Sequence, residues 1–172
     1  KRLLACICLV IFYAVSFAQD AWKITTSTID SKNYYGVTVA NGMIGIVSSP
    51  EAFKVKDVVL AGAYDLYGRG RVSNFLKSFN LLNMYMEVDG RRLSNADASN
   101  MQQGLNMQTA NFTTSFNYKD VATISYTYYA LRQLPYSVLM DITVTAKKDF
   151  TLGSASQMEA PDALKDVQNY YN

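Results

Sequence analysis

Four stretches of this chain repeat with a period of two: Leu82, Met84, Met86 and Val88; Phe112, Thr114, Phe116 and Tyr118; Ile124, Tyr126 and Tyr128; Val138, Met140, Ile142 and Val144. Successive side chains of a strand point to opposite faces, so each series turns one face inward. Asp89-Gly90, Lys119-Asp120 and Leu134-Pro135 separate them at the spacing of antiparallel strands in a sandwich or barrel. No helical periodicity of comparable length competes with them. The pattern predicts an all-β chain, an antiparallel β-sandwich. Tyr126 and Tyr128 share a face with Ile124 and are expected to fill the core, their hydroxyls reaching its rim. Tyr129 points the other way. Trp22, the only tryptophan, is expected to cover the apolar face of the first strand.

From Gly36 to Asp65 the chain reads as strand, tight turn, strand, and then a third strand over Asp57 to Tyr64. Asn41-Gly42 lies between two apolar, β-branched runs, and both residues tolerate the positive φ that a two-residue hairpin turn demands. Leu66 to Asn80, with its Tyr67-Gly68-Arg69-Gly70-Arg71-Val72 segment, reads as an exposed loop. Its Gly68-x-Gly70 lacks the strand-to-helix context of a phosphate site, so it is read as a flexible loop. Asn95 to Gln103 reads as a second polar loop. After Phe150 the alternation is lost.

The order of these pieces carries further meaning. An Asn-Gly-x-x-Gly hairpin at Asn41 to Gly45 precedes an apolar strand ending in Ala61-Gly-Ala-Tyr-Asp65, and then a strand closing on Val88-Asp89-Gly90. Leu105-Asn-Met-Gln-Thr109 and Tyr129-Ala-Leu-Arg-Gln-Leu-Pro135 follow in the same order, each ahead of a strand. Over roughly residues 35 to 150 the chain thus resembles the N-terminal domain of glycoside hydrolase family 65. That family includes maltose, kojibiose and trehalose phosphorylases, acid trehalases and related glucosidases. The Arg-Gln-Leu-Pro segment looks closer to the acid trehalase and glucosidase branch. The resemblance implies a galactose-mutarotase-like super-sandwich, incomplete here at its C-terminal end, followed by an (α/α)6 barrel. It further implies inverting cleavage of an α-glucoside by carboxylates in that barrel, far enough apart to admit the attacking water or phosphate. None of those positions lies within residues 1 to 172.

Composition narrows the chemistry. The chain has no histidine, and its two cysteines, Cys6 and Cys8, lie in its first ten residues. A Ser-His-Asp triad or a Cys/His zinc site cannot be assembled from it. No cofactor and no metal are expected. Lys1-Arg2, the apolar run from Leu3 to about Val15 and then Ser16-Phe17-Ala18 have the three regions of a secretory signal peptide, with cleavage between Ala18 and Gln19. The run is shorter than the ~20 apolar residues a membrane anchor needs. Leu4-Ala5-Cys6 precedes the apolar run instead of following it, which argues against lipidation. Removing Lys1 and Arg2 leaves 14 basic and 14 acidic side chains. That balance offers nothing to nucleic acid or, after cleavage, to an anionic membrane. The expected organisation is a signal peptide over 1–18, a sandwich domain over 19–155 and the start of further sandwich or a connection over 156–172. A secreted or periplasmic location follows. Asn111-Phe112-Thr113 fits the glycosylation acceptor pattern, which means little without a known host.

Two carboxylates stand out, and both have plain structural readings. Asp65 ends the third strand and is expected to cap the turn after it. Asp141 falls on the polar face of its strand. No catalytic residue is therefore assigned. For carbohydrate contact the candidates are Tyr129, Arg69 and Arg71. The expected partners are an α-glucoside reached through the parent enzyme, the (α/α)6 catalytic domain and, as the family allows, a second copy in a homodimer. The competing expectation is a stand-alone secreted carbohydrate-binding or adhesion module, since one sandwich architecture hosts many functions.

Overall fold

The computed structural model describes residues 21–66, 73–77 and 80–156, with side chains at 21–62 and 80–156. The expected signal segment with Ala18 and Gln19, both cysteines, Arg69, Arg71 and the stretch 157–172 lie outside the described residues. Twelve strands are described: β1 Lys23–Thr26, β2 Thr38–Ala40, β3 Ile44–Ser48, β4 Val55–Leu66, β5 Ser73–Lys77, β6 Met84–Val88, β7 Arg91–Arg92, β8 Ala98–Asn106, β9 Asn111–Tyr118, β10 Ala122–Ala130, β11 Val138–Ala146 and β12 Leu152–Ser156. The only helical element among the described residues is a three-residue 3-10 turn at Asn95–Asp97. Every strand pair is antiparallel, as the alternation predicts.

Three sheets result, ordered β1-β8-β9-β10-β11, β2-β3-β4-β5 and β12-β6-β7. Strands β2 and β3 lie across β10, which makes the sandwich. The inward faces of β9 and β10 are buried throughout, from Phe112 to Tyr118 and from Ala122 to Tyr128. On β11 the inward residues Val138, Met140, Ile142 and Val144 are only half-buried. The five-stranded sheet is wider than the described strands that cover it.

The hairpin at Asn41 forms, with a different turn from the one expected. Ala40 pairs with Gly45, and the Asn41 N–H donates to the Ile44 carbonyl at 3.2 Å. The two central residues are therefore Gly42 and Met43, and of the pair Asn41-Gly42 only Gly42 has positive φ, +89°. A glycine first in a two-residue loop is the arrangement of a II′ turn. Asn41 is freed to work through its side chain. Its Oδ1 accepts from the N–H groups of Met43 and Ile44, and its Nδ2 donates to the Leu131 carbonyl at 2.7 Å. Two of the stretches that carry the family resemblance are thus joined by one amide. Asp89-Gly90, with φ of 52° and 73° between the paired Val88 and Arg91, forms the β6–β7 turn with both central residues at positive φ.

Three segments read as loop or unpatterned chain contain strands. Leu66–Asn80 includes β5, paired to β4 through a register shift between Val59 and Tyr64. Asp65 lies inside β4, opposite Asn74. Asn95–Gln103 contains most of β8, whose register shifts between Ser99 and Gln102 and whose Asn100 has φ of 52°. That bulge breaks the alternation, and the inward position after it is taken by an amide, the buried Gln103. Beyond Phe150, β12 pairs with β6. Its more covered positions are Gly153 and Ala155, too small to register as an apolar series. Trp22 is 54% exposed.

Candidate functional site

The centre of the core is aromatic. Phe53 stacks on Tyr126 with ring centroids 5.0 Å apart and meets Phe116 edge-on at 5.8 Å. Tyr126 meets Tyr128 edge-on at 5.6 Å. The Tyr126 hydroxyl accepts the Phe53 N–H at 3.0 Å, and burial pushes its pKa up to about 12. Burial raises the Tyr128 hydroxyl further, with Tyr126 adding to the effect, and that hydroxyl is buried without a hydrogen-bond partner. Both rings are core, as predicted, yet neither hydroxyl reaches the rim. The two should differ on substitution. Tyr126→Phe leaves the buried Phe53 N–H unpaired and is expected to cost about 1–3 kcal/mol, whereas Tyr128→Phe removes an unpaired hydroxyl and should be neutral or stabilising. Urea unfolding of the two variants side by side checks this.

Tyr129 lies on the opposite face of β10, half-buried between Asn111 and Leu139 of the neighbouring strands. On that face Thr113 and Thr127 share a hydroxyl hydrogen bond of 2.9 Å. Asp141 is exposed there, opposite Thr127. Arg69 and Arg71, the other two expected carbohydrate contacts, lie outside the described residues.

Two described carboxylates are held on the ionised side, away from the protonated state that a general acid needs near neutral pH. Lys119 beside Asp97, at 3.0 Å, holds that carboxyl below its ordinary range, helped by the Ser94 hydroxyl. Hydrogen bonds from Asn33 and the Lys32 N–H do the same for Asp30. Asp89 accepts the Thr151 N–H at 2.8 Å and closes a loop. Among the described residues no three His, Cys, Asp or Glu side chains gather in a metal-binding group.

The structure does bring together a cleft that the sequence did not signal. The segment Asp30–Val37 runs alongside the end of the five-stranded sheet at β1 and β8, leaving a space of about 330 Å³. Ile24, Leu105, Val37 and Phe112 supply its apolar lining, and Asp30, Asn33, Thr26 and Thr28 its polar part. Tyr34 is anchored inward. Its hydroxyl donates to Gln103 Oε1 at 2.8 Å and lies 2.7 Å from Ser48 Oγ, which accepts the Val37 N–H at 2.8 Å. Gln103 Nε2 donates to the Ser49 carbonyl at 2.8 Å. Burial raises the Tyr34 pKa, against the pull of both hydrogen bonds. Gly36 follows with φ of +80°, so close to β3 that a Cβ would sit 2.7 Å from Val47 Cγ1 and 2.8 Å from the Ser48 carbonyl oxygen. Between these two fixed points Tyr35 is turned outward, 87% exposed.

No protein-family model matches the chain. A kojibiose hydrolase of Mucilaginibacter mallensis is 62% identical over 172 residues, covering 100% of this chain and 25% of that protein. A kojibiose hydrolase of Flavobacterium johnsoniae is 48% identical over 155 residues, 90% of this chain and 23% of that protein. The chain thus spans about a quarter of the length of these relatives. A solved structure described as a kojibiose phosphorylase from human microbiome superposes with a TM-score of 0.62 at 11% identity, over 77% of this chain and 21% of that one, and shares its fold. Sequence pattern, antiparallel sandwich and relatives agree: the chain belongs to glycoside hydrolase family 65, to its N-terminal β-sandwich portion.

Proposed function

We propose that this chain is the sandwich part of a larger glycosidase that hydrolyses an α-glucosidic bond, with kojibiose as substrate. The observation that carries this reading is the 62% identity over all 172 residues to a protein named for hydrolysing kojibiose. The phosphorylase likeness, at 11% identity, speaks for the fold and not for the acceptor. Among the described residues Asp30 and Asp89 serve turns and Asp97 an ion pair, and the acid and base of an inverting mechanism are assigned to another part of the enzyme. The basic, apolar and small-residue regions at residues 1–18 support export to the periplasm or medium. The sandwich would then serve as support for the (α/α)6 barrel and as a site for contacts between two copies.

The test is to express the complete reading frame containing this chain and follow kojibiose with and without inorganic phosphate. Release of free glucose, independent of phosphate, is expected. Glucose 1-phosphate formed only when phosphate is present would replace hydrolysis by phosphorolysis, and no turnover of any α-linked glucobiose would sink the glycosidase reading. Edman sequencing of the exported product should start at Gln19.

A further inference from the structure

We propose that the cleft beside Tyr35 is a saccharide-binding site, taking one or two rings of a neutral glucopyranoside against the Tyr35 ring. The inference rests on the glucosidase reading only for its choice of sugar. Its first support is how Tyr35 is held. An aromatic ring left 87% exposed forgoes the burial that stabilises most tyrosines, and the backbone on both sides allows it no retreat. Tyr34 is tied inward to Gln103 and Ser48, and Gly36 is wedged against β3. Little backbone freedom would be lost on binding, which favours affinity.

The second support is the chemistry of the lining. A pyranose offers an apolar face of C–H bonds, slightly positive, and a girdle of hydroxyls. The negative face of an aromatic ring suits the first, with Ile24 continuing the apolar surface. For the second, Asp30 has already accepted the Lys32 N–H at 2.9 Å and Asn33 Nδ2 at 2.7 Å. An ionised carboxylate has about four lone-pair sites, so it retains capacity for sugar hydroxyls, and the Asn33 carbonyl oxygen stands beside it. Among the described residues no lysine or arginine lines the cleft, so the described lining offers no cationic side chain to a phosphate or other anion. Its single carboxylate does not make a cation site. The volume lies at the lower end of the ~300–1,000 Å³ of small-molecule clefts.

The experiment uses the 172-residue chain labelled with fluorotyrosine, titrated with kojibiose and followed by fluorine NMR. Tyr35→Phe identifies the resonance of residue 35. The Tyr35 signal should shift saturably, with a Kd on the order of 1 mM, while Tyr136, exposed on a distant loop, stays still. Tyr35→Ala, monitored at Tyr34, should weaken binding about tenfold or more. Tyr35→Phe keeps the ring and should retain binding, and Asp30→Asn should weaken it. An unsaturable shift, an equal shift at Tyr136, or binding indifferent to Tyr35→Ala overturns the proposal. Kojibiose turnover by the complete reading frame without a Tyr35 shift sinks the cleft alone. A Tyr35 shift without turnover sinks the enzyme reading and leaves the cleft standing.

Discussion

Phe53→Ala is expected to cost about 3–5 kcal/mol, the range for truncating a large buried aromatic, out of a total of about 5–15 kcal/mol for a typical domain. The ring is 2% exposed and fills the space between Tyr126 and Phe116. Its backbone ties two sheets as well: the N–H donates to Tyr126 and the carbonyl accepts the Met84 N–H at 3.1 Å. Removing the ring leaves a cavity beneath Tyr126 while these hydrogen bonds resist collapse. Position 53 has φ of 59°, a strain that alanine inherits in full, so the substitution gains nothing from the backbone. Urea unfolding should show a lowered midpoint with an unchanged m-value. A midpoint within error of the parent would mean that the core repacks around the gap, against the packing described.

Gly36→Ala should be the second most damaging change, at about 2–5 kcal/mol. Two effects add. A Cβ at φ of +80° costs ~1–2 kcal/mol, and its overlap with Val47 Cγ1 and the Ser48 carbonyl oxygen costs ~1–3 kcal/mol. The backbone contact is the harder of the two to relieve, because Ser48 is held by Val37 and Tyr34. Gly42→Ala is the control. Its φ is +89°, but a Cβ there meets nothing within 4 Å, so only the conformational part of the cost remains. Thermal unfolding of the pair separates strain from clash. Equal losses would show that Gly36 does not press on β3.

What could be read from residues alone was whatever depends on local periodicity and turn chemistry. Strands β9 and β10 carry uninterrupted alternation, with Thr114 the one polar residue of their inward faces, and they fold where the alternation places them. Asp89-Gly90 has the pair of residues that a turn with two positive φ angles requires, and that turn forms. The burial of Tyr126 and Tyr128 followed from sharing a face with Ile124. Strands β5, β8 and β12 were missed because each is held mainly by its partner strand. Gln103 occupies an inward position as an amide satisfied by Tyr34 and Ser49, and Gly153 and Ala155 are too small to mark a face. A pattern of apolar residues cannot announce a polar group whose partner is 54 or 69 residues away.

The same limit governs the candidate site. Tyr129 was singled out because its side chain leaves the core face, and the structure agrees on that direction. Tyr35 carried no such signal, since its exposure follows from where Tyr34 and Gly36 are anchored. By itself, then, the sequence determined the all-β class, the antiparallel hairpins and the family, because alternation, turn residues and motif order are properties of neighbours along the chain. The tertiary structure alone decided that the hairpin turns on Gly42-Met43, that the Asn41 side chain reaches Leu131, and that Tyr35 overhangs a cleft. Each of these depends on hydrogen bonds and close contacts between segments far apart in the chain, whose geometry exists only once the sheets have packed.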